Sequence, residues 1–198
     1  MTNGTDVIVL KDTTANPAPL GLLAFGMTTI LLNLHNAGLF GMNTVILAMG
    51  IFVGGMAQVI VGKMEWKKNN TFGTVAFTAY GFFWITLVGI ILMPKFGMGD
   101  APDAISMASF LIVWGIFSTF MFIGTFRLSK ALQVVFGSLV ILFFLLAIGK
   151  LTGDPTIEMI AGIEGIFCGA SAFYTAMAQI LNEIYGTVVM PLGPVKRS

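Results

Sequence analysis

The sequence predicts an all-α membrane protein, a bundle of six transmembrane helices, and three observations carry that prediction. Of its 198 residues, 57% are hydrophobic and only 10% are charged, where a soluble domain carries roughly a quarter charged residues. The mean hydropathy is +0.93, so lipid is the solvent for most of the chain. Six apolar stretches, at 17–36, 44–62, 71–93, 104–126, 130–149 and 155–185, are each long enough for a hydrocarbon core that takes about 20 helical residues to cross.

The breaks define the helices as firmly as the apolar runs do. No Asp, Glu, Lys or Arg lies between Asp12 and Lys63, and a soluble fold would not bury fifty such residues. Helices one and two are separated by an uncharged, Gly/Asn-rich turn over 37–43. The later breaks are KMEWKKNN, PKFGMGDAPD, RLSK and KLTGD. Asn16 before Pro17 reads as a helix start, Asp154 before Pro155 repeats the arrangement at helix six, and Asn70 is positioned to cap helix three.

An even number of spans places both termini on one side. That side holds Lys11, Lys63, Lys67, Lys68, Arg127, Lys130, Lys196 and Arg197, while the other holds only Lys95 and Lys150. Such an excess predicts that both termini are cytoplasmic in a multi-pass protein of the cell membrane. Residues 1–15 read as a cytoplasmic tail without a signal-peptide pattern, 16–193 as one transmembrane domain, and 194–198 as a second short tail.

Several function classes are excluded. A net charge of +1 without a basic run offers no field for nucleic acid. Cys168 is the only cysteine, so no intrachain disulfide forms. There is no GxSxG, no HExxH, no paired carboxylate set and one histidine, His35; no enzyme, cofactor or metal is expected, and Ser171 and Cys168 lack an evident base.

Within the spans, polarity is concentrated. Helix six carries Glu164, Cys168, Ser171, Thr175, Gln179 and Asn182 at helical spacing. Helix one adds Phe25, Thr28, Thr29, Asn33 and Asn36 on a related face, helix two Gln58, and helix three Thr74, Thr78 and Tyr80. Such a stripe faces either a water-filled route or partner helices through hydrogen bonds. The glycines Gly50, Gly54 and Gly62, with Gly162, Gly165 and Gly169, suit close helix contact. Glu164 is the sole acid well inside a span: either a candidate proton site or a neutral, hydrogen-bonded acid. No Lys or Arg lies deep in any span, so an anion would meet neutral donors and exchange quickly instead of meeting a bidentate clamp.

The run Asn16-Pro17-Ala18-Pro19-Leu20-Gly21-Leu22, continuing into FGMTTILLNLHNAG, resembles the signature of the succinate–acetate permease (acetate uptake transporter) family. The likeness continues through GGMAQ, NTFGTVAFTAYG, LMPKFG, FIGT, CGASAFY and LNE, from Asn16 to about Gly193. It implies a bundle similar to urea and amide channels, assembled as a homo-hexamer with a pathway in each protomer. It further implies passage of acetate, and often succinate, by a channel-like or proton-coupled mechanism. Phe25, Tyr80 and Leu139 match the family's apolar constriction, Gln58 and Tyr80 match positions near bound carboxylate, and Ala172 matches a position affecting substrate size. Thr28 and Asn33, from the polar face of helix one, join the candidate substrate-binding residues. Glu164 is not matched across the family, so the resemblance implies nothing for it. Phe25, Tyr80 and Leu139 each lie eight or nine residues from the expected cytoplasmic end of their helix, about 12–14 Å deep. The competing readings are a neutral-solute channel of the urea or amide type and a membrane-embedded sensor.

Overall fold

A computed structural model describes residues 13–195; the outer parts of both expected tails, with Lys11, Lys196 and Arg197, lie outside the described residues. Six helices are long and apolar enough to cross a membrane. They are α1 (Ala18–Asn36), α2 (Thr44–Lys67), α3 (Thr71–Phe96), α4 (Ala104–Thr125), α5 (Lys130–Thr152) and α6 (Pro155–Tyr185). All described regular structure is helical apart from one isolated bridge, Ser129 to Pro194. The chain is therefore an all-α, multi-pass membrane protein, as its hydropathy predicts.

Short polar side chains start the helices. Asn43, Asn70, Asp103, Ser129 and Asp154 each accept a backbone N–H from the first turn that follows, satisfying donors that a helix leaves unpaired at its start. The Ser106 N–H holds the exposed Asp103 carboxyl below the usual carboxylate range. At α1 the cap position falls on Pro17, which is already helical, and Asn16 stands one place earlier; its Oδ1 nevertheless accepts the Ala18 N–H at 3.1 Å. Gly153 and Gly186 end α5 and α6 at φ of 65° and 64°, a left-handed conformation that only glycine takes without cost.

Packing follows the small residues. α1 and α6 make the most extensive helix pair, and the reason is two backbones in near contact. A Cβ on Gly26 would sit 2.7 Å from the Gly169 carbonyl oxygen, and one on Gly169 would sit 2.7 Å from the Gly26 oxygen. The helix-six glycines thus serve close approach, which lipid rewards through packing and not through water exclusion. α2 packs on α3 in the same way, with Gly81 against the Gly55 carbonyl and Gly62 against Thr78. α5 packs between α4 and α6. α3 and α4 have few backbone approaches, and rings span the gap: Phe83 stacks on Phe110 at 5.6 Å, and Trp114 meets Phe83 at 5.1 Å and Tyr80 at 6.0 Å.

α2 is not a uniform α-helix. Met49–Ala57 is π-helical, between α-helical Thr44–Ala48 and Gln58–Lys67. The spacing of Gly50, Gly54, Gln58 and Gly62 supplies a physical reason. Four residues overshoot a 3.6-residue turn by about 40°, so three repeats would carry Gly62 about 120° off the face of Gly50. Wider π turns absorb that drift. The result is one face of α2 meeting α3 along its length, with Gly50 on Val88, Gly54 on Trp84 and Thr28, and Gly62 on Thr78.

At the end bearing the termini, the chain beyond α6 folds back over α5. Asn182 receives the Val189 and Met190 N–H groups and donates to the Met190 carbonyl. The Lys130 and Ala131 N–H groups donate to Gly193 and Leu192 carbonyls. At the opposite end, Lys150 pairs with Glu158 at 2.6 Å, joining α5 to α6.

Candidate substrate pathway

Gly73, Ala76 and Tyr80 of α3, Leu22 and Phe25 of α1, and Leu132, Val135 and Leu139 of α5 recur every three or four residues, so each helix turns one stripe to the same space. Together they enclose a cavity of about 150 Å³ with a mostly apolar wall. Asn70, Leu128 and Gln179 surround its mouth at the end bearing the termini, and the polar groups in its wall are few: Gln58, Asn70, Gln179 and Tyr80.

The three constriction candidates meet at the deep end. Phe25, Tyr80 and Leu139 are buried and line the same cavity. The Phe25 and Tyr80 rings are tilted at 52° with centroids 6.0 Å apart. Tyr80 is further packed by Phe117 at 5.4 Å and Phe136 at 6.1 Å. Its hydroxyl shares a 2.8 Å hydrogen bond with the fully buried Ser118 hydroxyl of α4.

The remaining candidates divide. Gln58, 1% exposed, reaches the cavity wall. Its Nε2 donates to the Gly54 carbonyl at 2.7 Å, leaving Oε1 and a second N–H uncommitted. Thr28 lies outside the cavity, its hydroxyl directed to the Met49 carbonyl at 3.5 Å and its methyl against Gly54. Asn33 is also apart: Nδ2 donates to the Thr29 carbonyl at 2.9 Å, Oδ1 receives Asn36, and the amide fills the space beside Gly165. Ala172 is fully buried in the α1–α6 contact near Gly26. Glu164 is half-buried and absent from the cavity wall, and its Oε2 is buried without a partner among the described residues. Two neighbours of the helix-six stripe bond back to their own helix, Ser171 to the Cys168 carbonyl and Thr175 to the Ser171 carbonyl, both near 2.7–2.8 Å. His35 turns Nδ1 to the Phe40 carbonyl at 2.9 Å and fastens the first turn.

The sequence reading placed Thr29 on the polar face of helix one but assigned nothing to Glu65 or Trp84. Glu65 is 2% exposed, behind the cavity wall, where its Oε2 receives the Asn70 Nδ2–H at 2.6 Å and its Oε1 lacks a partner among the described residues. One turn past Phe25 and one past Tyr80, Thr29 Oγ1 and Trp84 Nε1 are buried and have no partner among the described residues. Buried polar atoms normally have a hydrogen-bond partner, protein or water.

A six-helix membrane bundle holding a blind, weakly polar cavity closed by aromatic and aliphatic bulk belongs to the class of channels and carriers for small solutes. The chain is a member of the GPR1/FUN34/yaaH family, whose sequence model matches residues 4–196. It is 58% identical over 179 residues to the succinate-acetate/proton symporter SatP of Escherichia coli K12, covering 90% of this chain and 95% of that one. It is 31% identical over 195 residues to acetate permease A of Emericella nidulans, covering 90% of this chain and 65% of the relative. Among solved structures, the bacterial acetate channel SatP superposes with a TM-score of 0.90 at 57% identity, covering 91% of this chain and all of that one.

Proposed function

We propose that the chain moves small carboxylates, acetate first and succinate second, across the cytoplasmic membrane, with both termini inside. The observation that carries this reading is the match over nine-tenths of the chain to a protein named for succinate, acetate and protons. The route supports it. A solute enters the cavity from the side of the termini, passes Gln58, and crosses between Phe25, Tyr80 and Leu139. It then meets the unpartnered groups of Thr29 and Trp84. Hydrophobic constrictions of this kind gate by dewetting, and a wall without fixed charge binds a carboxylate weakly enough to release it.

Orientation rests on eight basic residues against two on the opposing sides. The family resemblance supports assembly as a hexamer, each protomer carrying its own pathway. Purified protein in liposomes, loaded with labelled acetate or labelled urea, tests the reading: rapid acetate flux with slow urea flux is expected. Urea flux exceeding acetate flux would make it a neutral-solute channel, and no flux of either would favour a sensor.

A further inference from the structure

At the mouth of the cavity, two amides settle one another's orientation. The Ala18 backbone N–H can only donate, and it donates to Asn16 Oδ1 at 3.1 Å. Asn16 must therefore present Nδ2 on its other edge, where it donates to Gln179 Oε1 at 3.2 Å. Gln179 has thus committed its oxygen, and the end remaining is Nε2 with its two N–H donors. Gln179 is half-buried in the cavity wall, and no described residue accepts from that nitrogen.

Asn70, in the same mouth, is locked by the same logic. The Gly73 N–H takes its Oδ1 at 3.1 Å, and Glu65 takes one of its N–H groups at 2.6 Å. Each amide turns its carbonyl oxygen to a protein donor, and each keeps N–H capacity that no described residue uses. A reversed Gln179 would place a lone pair where an anion arrives.

We propose that Gln179 is a donor to the entering carboxylate, and that Asn16 is the positioning residue that keeps its nitrogen toward the solute. This rests on the carboxylate reading above. The ligand class is a small carboxylate held by neutral donors at the cavity mouth, before Gln58 is reached.

The test is a double-mutant cycle in liposomes with labelled acetate. Gln179→Leu removes the donor at similar bulk. Asn16→Asp keeps an acceptor for the Ala18 N–H but presents only oxygen to Gln179, which must then turn its own oxygen to the cavity. Each variant should raise the half-saturating acetate concentration by roughly three- to tenfold, with the rate at saturation unchanged. The double variant should be no worse than Gln179→Leu alone, since Asn16 acts through Gln179. A wild-type half-saturation in Gln179→Leu overturns the proposal. So does an Asn16→Asp effect that persists in the Gln179→Leu background, because the new charge would then be acting by itself. Wild-type protein that moves no labelled acetate overturns the carboxylate reading before any variant is compared.

Discussion

Phe25 of α1 and Tyr80 of α3 meet ring to ring, 6.0 Å between centroids, where the cavity ends. Their helices have little direct backbone contact, so the closure is made by side chains that a solute can displace only against the packing behind them. Around Tyr80 stand Phe117, Phe136 and Trp114. Leu139 is the aliphatic member of the closure, buried in the cavity wall, and trimming it to a methyl removes three carbons from that wall. Leu139→Ala is therefore expected to widen the route and raise succinate uptake relative to acetate. Competition between the two labelled acids in liposomes measures it, and an unchanged ratio in a well-folded variant would remove Leu139 from the gate.

Tyr80 and Ser118 form a closed polar pair in the aromatic layer. Removing one hydroxyl leaves the other buried without a partner, at a cost of about 1–3 kcal/mol, whereas removing both restores balance. Tyr80→Phe and Ser118→Ala should each lower the melting temperature in detergent, and the double variant should recover most of the loss. Additive losses would mean that the hydroxyls act independently.

Gln58 is the most deeply placed amide of the cavity, and its Nε2 is anchored to Gly54. Gln58→Ala should weaken apparent acetate affinity by about 0.5–1.5 kcal/mol, the worth of a neutral hydrogen bond. Wild-type affinity and rate in that variant would exclude Gln58 from binding.

The π-helical turns of α2 make a separate prediction. They keep Gly50, Gly54 and Gly62 on one face, toward α3, while Gln58 reaches the cavity wall. Phe52, within that segment, is 61% exposed on the outer side. Deleting Phe52 lets the segment relax toward α-helix and turns Gln58 relative to the glycines before it. The variant should insert and assemble yet lose most acetate flux. Flux at the wild-type level would show that the π turns are incidental.

The spans were legible because hydropathy and charge breaks act locally, and two of the five side-chain caps that start the later helices, Asn70 and Asp154, could be read directly from the sequence. Partnerships across helices were not. Ser118 finds Tyr80 from 38 positions away, and nothing near either residue announces it. Thr28 and Asn33 share their helix face with true cavity residues, yet their side chains bond to backbone carbonyls, a choice that depends on a neighbouring helix or the preceding turn. Glu65 was hidden in a basic segment that reads as a loop; α2 runs on through Lys67, and the Asn70 cap buries the acid. The four-residue glycine spacing marked a packing face, but its conflict with a 3.6-residue turn, and hence the π segment, became visible only in three dimensions.

Glu164 stays the acid whose role is most open to experiment. It lies on α6 between Ala161 and Cys168, both fully buried, half-buried itself, with one oxygen enclosed and unpartnered among the described residues. No lysine or arginine shares its span below the α5–α6 ion pair. A carboxyl so placed either exchanges a proton with the route or is a fixed neutral donor to a neighbouring helix. Glu164→Gln preserves shape and hydrogen bonding but cannot exchange a proton. If Glu164 relays protons, this variant should lose acetate uptake driven by a pH gradient while acetate exchange at equal pH persists. Both assays can be run on one liposome preparation, so a folding defect would depress exchange as well and be recognised. If gradient-driven uptake and exchange both remain at wild-type rates across the pH range assayed, Glu164 is structural and any proton must travel with the solute itself.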